Sequence, residues 1–267
     1  MKLTCPHCKK NSSSGTDVRN SDSSVWKVGK YYRKSDQKYI QRYRCSNLHE
    51  FSEATFDECY RQHKRFLNPA IMDELCSLVS LRRIAIKLEI NPKTVARKLE
   101  FLGQRARQHL KKWNQSQGLC TQVQFDELET IEHTKLKPVS VALAVEWKVR
   151  RILDIQVASM PAKGLLTKKS IAKYGKRKDE RNHAITEMLN TVKELSIESV
   201  YLESDQCPRY PVLVQQNLPK AVHKGHKGIR GSVSGQGELK KIKNDPLFSL
   251  NHTCAMLRAN ISRLIRK

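Results

Sequence analysis

No stretch of this chain approaches the roughly 18 consecutive apolar residues that a membrane-crossing helix requires, which argues against an integral helical membrane protein. The opening MKLTCPHCKK lacks the apolar segment of a secretory signal, so the expected compartment is the cytoplasm. A basic amphipathic helix with a wide apolar face is also missing, which removes a membrane surface from the expected partners. No G-x4-G-K-[ST] spacing occurs, and with it goes a Walker-type phosphate loop. The scarcity with the largest consequence is of acidic residues. Against 50 Lys and Arg stand only 26 Asp and Glu, giving a formal charge of +24. Such an excess is neutralised most readily by a phosphate backbone, whose counterions are released on binding.

Eight cysteines in a chain with no secretory signal point to metal ligands and free thiols ahead of a disulfide framework. Cys5-Pro6-His7-Cys8 sets two thiolates on a tight turn. A Ser-rich stretch from Asn11 to Ser24 reads as a mobile loop, and the alternating aromatic and basic residues after it predict a β-hairpin. Cys45 and His49 close the pattern as C-x3-H. This is similar to a zinc ribbon in which Leu48 occupies the place of the expected cysteine. The zinc ligands are therefore read as Cys5, Cys8, Cys45 and His49, with Cys59 and His63, spaced i,i+4 on an expected helix, as a substitute source.

From Asn68 to Leu102 the apolar spacing becomes helical. Ser80 is placed to cap a helix over Leu81 to Leu88. Asn91-Pro92 is placed to start another, with Asn91 as cap and proline at the first helical position. Two short helices joined at Glu89 and Ile90 make a helix-turn-helix. Residues 91–102 are then the recognition helix, with Lys93, Thr94, Arg97 and Lys98 turned toward DNA, while Arg82, Arg83 and Lys87 suit backbone phosphates. The segment from Gly103 to Gly118 starts helical and loosens into Gln, Ser and Gly, which reads as a linker. The expected domains are 1–66, 67–118 and 119–267.

Beyond Gly118, strands are expected over Cys120 to Leu128, Val139 to Trp147 and Val149 to Ala158. A helix around Ala184 to Leu195 follows, then a fourth strand over Ser199 to Leu202. A three-strand meander, a helix and a further strand match a ribonuclease-H-like α/β fold. In that fold the first and fourth strands are neighbours, so Asp126 and Asp205 would converge. Two adjacent carboxylates cannot both stay ionised without a cation between them, and Mg2+ or Mn2+ fits that need. The glycine-rich run from His223 to Gln236 is expected to be a loop that clamps DNA through Lys224, Lys227 and Arg230, with His223 and His226 as phosphate contacts.

Taken with CPHC, VSLRRIAIKLEINPKTVARKLEFL, QFDELET, YLESDQCPRYP and the closing GQGELKKIKNDPLFSLNHTCAMLRANISRLIRK, these features make the chain resemble a DDE-type bacterial insertion-sequence transposase. The group in question carries an N-terminal zinc ribbon and helix-turn-helix ahead of a ribonuclease-H-like core. The resemblance implies that Asp126 and Asp205 are the first two metal-binding residues. Matching the terminal Arg263-Leu264-Ile265-Arg266-Lys267 places Asn251 at the third position, where relatives carry Glu; His252 beside it is an auxiliary group, and Glu238 the alternative third ligand. It further implies binding of terminal inverted repeats and target DNA, metal-dependent strand cleavage followed by strand transfer, and a homodimer or larger assembly on DNA. The competing expectation, prompted by Leu48, Asn251 and the end of the chain at Lys267, is an inactive or truncated copy that only binds specific DNA.

Overall fold

The computed structural model describes residues 3–11, 24–34, 37–60, 62–227, 245–261 and 264, and divides into two compact units, 1–99 and 100–267.

In the first unit a six-residue helix, α1 (Pro6–Asn11), precedes an antiparallel sheet of β1 (Val25–Arg33), β2 (Lys38–Cys45) and β3 (Glu50–Ser52), in that spatial order. The hairpin was foreseeable from its alternation; β3, at three residues, is too short to leave a periodic signal. The expected loop over 11–24 falls largely on 12–23, outside the described residues. Three helices follow: α2 (Asn68–Cys76), α3 (Leu81–Lys87) and α4 (Pro92–Ser116). Both expected caps are present: Ser80 Oγ accepts the Arg83 N–H at 3.4 Å, and Asn91 Oδ1 accepts that of Lys93 at 2.8 Å. Glu89 takes up a left-handed conformation (φ 51°) between α3 and α4, and Ile84, Ala85 and Val95 are buried where these helices turn inward.

The reading of 103–118 as a linker is corrected, because α4 continues to Ser116. Its last turns belong to the second unit, where buried Asn114 donates through Nδ2 to the carbonyls of Ile152 and Leu153, at 3.0 Å each. A single amide serving two carbonyls is invisible to a reading by composition, which sees only polar residues near a glycine.

The second unit is a mixed five-stranded sheet. It contains β4 (Cys120–Ile131), β5 (Pro138–Glu146), β6 (Ile152–Ser159), β7 (Ser196–Asp205) and β8 (Val222–His226), in the order β6-β5-β4-β7-β8. β4, β5 and β6 pair antiparallel, whereas β7 runs parallel to both β4 and β8. The crossover from β6 to β7 carries α5 (Leu166–Tyr174) and α6 (Arg181–Leu195), and α7 (Tyr210–Asn217) connects β7 to β8. α6 buries Ala184, Ile185, Met188, Leu189, Val192 and Leu195, one stripe at helical spacing. That stripe packs with Val123, Phe125, Ala142, Ala144 and Leu202 on one face of the sheet. On the other face Leu128, Val141, Leu143 and Val145 pack with Leu250 and Cys254 of α8 (Phe248–Asn260). Strand alternation thus divides β4 and β5 between two apolar layers, and the polar residues of interest emerge within the α8 layer. His223 and His226, expected in a loop, lie on β8.

Candidate metal centre and acidic pair

Cys5 and Cys45 are fully buried, and Phe51 beside them is the one large apolar side chain of their small core. Burying Phe51 here and Ile40 of β2 contributes about 2–3 kcal/mol each, small against the chain entropy of ordering a three-stranded sheet. The ligand atoms supply a different solution. Sγ of Cys5, Cys8 and Cys45 and a ring nitrogen of His49 all lie within 4.8 Å of one another. Cys8 Sγ is 3.9 Å from Cys45 Sγ and 3.4 Å from His49 Nδ1, and Cys45 Sγ is 3.6 Å from that nitrogen. A tetrahedral zinc with Zn–S near 2.3 Å sets its sulfurs about 3.8 Å apart, so these edges are those of a tetrahedron of the right size. The four residues could hold a structural metal such as zinc.

The local backbone explains the fourth ligand. Cys45 N–H donates to the His49 carbonyl and Leu48 N–H to that of Cys45, closing a tight turn. Leu48, left-handed at φ 60°, is 74% exposed, and His49 takes the corner that a cysteine at 48 was expected to fill. Burial pushes the Cys8 thiol up, but hydrogen bonds from Asn47, His49, Cys5 and Cys45 outweigh it and bring it down to about 7, poised for the thiolate a metal needs. Burial raises the Cys5 thiol. Cys59 and His63 are not needed as substitutes. Cys59 lies in a turn, not a helix, and its sulfur accepts from Asn68 Nδ2.

In the second unit, Gln124 of β4 pairs in register with Glu203 of β7. Two residues further along each strand stand Asp126 and Asp205, so alternation brings both carboxylates to the face that carries Gln124 and Glu203. Burial, and next to it the charge of Asp205, raise the Asp126 carboxyl to about 6. Asp126 Oδ1 accepts the Tyr210 hydroxyl at 3.0 Å and the Glu127 N–H at 2.7 Å. Asp205 Oδ1 accepts the Cys207 N–H at 3.0 Å, bending the chain out of β7 toward α7. Neighbouring Glu127 is satisfied separately, by an ion pair with Arg209 and by the Ser140 hydroxyl at 2.7 Å.

The sequence reading missed the polar support beneath this pair. Glu203, 6% exposed, accepts from Gln122 Nε2 and Gln124 Nε2, each at 2.9 Å, and lies 2.9 Å from His226 Nε2. Burial pushes its carboxyl up, but hydrogen bonds from Gln124, His226 and Gln122 prevail and hold it below the usual glutamate range. Gln124 also donates to the Pro246 carbonyl at 2.7 Å, and its Oε1 accepts the Leu250 N–H at 3.1 Å, pinning the first turn of α8 to the middle of the sheet. The QxQ spacing of Gln122 and Gln124 ahead of Asp126 was the available signal, since paired amides on one strand face must find partners if that face is covered.

Other expected residues go elsewhere. Asn251 lies in the first turn of α8, and its Nδ2 donates to Asp245 Oδ2 at 2.8 Å. Glu238 and Arg230 lie outside the described residues. His252 meets the Arg150 guanidinium at 3.1 Å. His223 and His226 are corrected from phosphate contacts to internal groups, facing Ser204 Oγ at 2.8 Å and Glu203 respectively. Lys224 and Lys227 are exposed. Lys98 is also corrected: only 3% exposed, it donates from Nζ to Gln62 Oε1 at 3.1 Å, and burial lowers its pKa. It lies one helical turn beyond buried Val95 and shares that inward face. Arg82, Arg83, Lys93 and Arg97 are exposed and Thr94 half-buried; Lys87 pairs with Glu74. Among the described residues, Cys5, Cys8, Cys45 and His49 form the only group of three or more Cys, His, Asp or Glu that could hold a metal ion, and no helix is long and apolar enough to cross a membrane.

No protein-family model and no curated protein matches the chain.

Proposed function

We propose that the chain is a DDE-type transposase that binds the terminal inverted repeats of an insertion sequence and cuts and rejoins DNA with its second unit. The observation that carries this reading is the sharing of one sheet face by Asp126 and Asp205, with the Asp126 carboxyl raised to about 6 by burial and by its neighbour's charge. Such a pair concentrates negative charge, with no basic partner among the described residues, in a chain of net charge +24. Mg2+ or Mn2+ held by the two carboxylates would neutralise it and supply the charge stabilisation and water activation that phosphodiester chemistry needs. Strand order supports a ribonuclease-H-like core: in order of appearance the strands lie 3-2-1-4-5, the first three antiparallel and the last two parallel to the first.

The chain's own groups have definable tasks in this reading. Tyr210 fixes the Asp126 carboxylate by donating to it. Gln124 holds α8 against β4, and so places Asn251 in the layer that contains the acidic pair. Because the Asn251 amide nitrogen is engaged by Asp245, its carbonyl oxygen is the atom left to act as third ligand. Exposed Lys93 and Arg97 on α4, with Arg82 and Arg83 on α3, supply the docking charge, and Lys224 and Lys227 extend it in the second unit.

The test is strand cleavage and joining on a duplex that carries an element end, in Mg2+. Asp126→Asn and Asp205→Asn should each lower the rate by at least about a hundredfold while leaving end binding intact. Undiminished cleavage in either variant overturns the assignment. A second reading, a DNA-binding protein without catalysis, is favoured by one observation: among the described residues no third carboxylate joins the pair. It predicts a footprint on specific DNA and no nicking at any Mg2+ concentration.

A further inference from the structure

β1 departs from the usual behaviour of a small sheet, which buries one face and wets the other. Every residue from Trp26 to Tyr32 is exposed. Trp26 (45%), Tyr32 (50%) and, across the hairpin, Tyr39 (70%) show large ring surface to solvent. Tyr32 and Tyr39 are directly paired, with ring centroids 5.2 Å apart and planes tilted by 60°. The register sets Lys27 and Lys30 on the same face as this pair. No acidic residue occurs among the described residues of the hairpin, and Lys27, Lys30, Lys34 and Lys38 have no acidic partner among the described residues. By contrast, Arg42 and Arg44 share Glu50 as an ion-pair partner, and Arg33 faces Asp57. Lysines with no acidic partner among the described residues thus gather beside solvent-exposed rings.

Exposed aromatics on a surface this basic point away from an apolar protein partner and toward a polyanion that also offers flat faces. Duplex DNA offers phosphates and groove edges, with its ring faces covered by stacking; unpaired bases offer both phosphate and ring face. We propose that the β1–β2 hairpin is a binding surface for single-stranded nucleic acid, with Tyr32 and Tyr39 stacking on unpaired bases and Lys27 and Lys30 following the phosphates. This goes beyond the catalytic reading and does not depend on it, because no residue of the acidic pair takes part.

The whole 267-residue chain, supplied with zinc, is titrated against a fluorescent twenty-residue oligothymidylate and against a blunt mixed-sequence duplex of the same length. Base–aromatic stacking loses about 1–3 kcal/mol per base on alanine substitution. The pair Tyr32→Ala/Tyr39→Ala should therefore bind the oligothymidylate at least about tenfold more weakly, with less than about threefold change on the duplex. Tyr32→Phe/Tyr39→Phe keeps the rings and should stay within about threefold of the parent on both. Lys27→Gln/Lys30→Gln should flatten the single-strand salt dependence, log K against log salt, by about 1.4. Retention of bound zinc by each variant establishes that the ribbon is folded. An alanine pair that binds the oligothymidylate like the parent, or that loses equally on both probes, overturns the proposal. An Asp126→Asn chain that keeps full single-strand binding separates this surface from the catalytic reading.

Discussion

Asp126 takes up a proton more readily in the folded chain, at about 6, than at its ordinary value of 3.8, because burial and Asp205 both disfavour its charge. Folding stability from this group is therefore greatest below pH 4 and declines as the pH rises through 6. Asp126→Asn removes the decline and preserves an oxygen for Tyr210 and Glu127 to donate to. With chelator present, thermal melts should find the variant more stable than the parent by on the order of 2 kcal/mol at pH 8. At pH 4 the advantage should vanish, and an equal gain at both pH values would show a cause other than charge. That Asp126 and Asp205 lie on neighbouring strands was legible from the strand pattern on either side of the crossover helix. Lys98 was misread: polarity turned it outward on paper, while its stem is long enough to bury and still deliver the ammonium to Gln62.

The elements most readable from sequence were those whose signal is local. Ser80 and Asn91 caps, the helical spacing of 81–88 and the alternation of β4 and β5 need only their neighbours, and the observed bounds differ by a few residues. The seating of α8 was not readable, since it depends on a residue more than a hundred positions away. Gln124 contributes three hydrogen bonds that join Glu203, Pro246 and Leu250. Gln124→Leu leaves a buried carboxylate short of one donor and strands a backbone N–H, which should cost about 2–4 kcal/mol in urea unfolding. Hydrogen exchange should quicken first in α8. If exchange quickens uniformly through β4, β5 and β7 instead, the amide is only a core-filling group and does not seat the helix.

At the scale of the molecule, the two units draw on different sources of stability. Residues 100–267 bury a broad apolar layer on each face of their sheet. Around its Cys/His cluster, the three-stranded sheet within 1–99 has a core of Cys5, Cys45 and Phe51, with Cys8, Val25 and Tyr43 at its margin and Ile40 buried besides. Structural zinc contributes about 10–16 kcal/mol in small peptides at neutral pH, so the ion, not the apolar contacts, is expected to decide whether β1–β3 persist. Strong chelation, or Cys45→Ser, should erase exchange protection in β1–β3 while β4, β5 and β7 stay protected, and metal analysis of the parent should find one zinc per chain. Protection that survives chelation would assign the stability of β1–β3 to packing. The C-x2-C and C-x3-H spacings announced this Cys/His cluster, but the chain's division at 99/100 was hidden by α4, which is one helix on both sides of it.

Asn114 guards one end of a sheet edge. β6 is an outermost strand, and the carbonyls of Ile152 and Leu153 are already occupied by that one side chain. A strand from another molecule would have to evict the amide before it could add there. The start of β6 is thereby closed to an added strand, a restriction set by a single asparagine at the end of a helix.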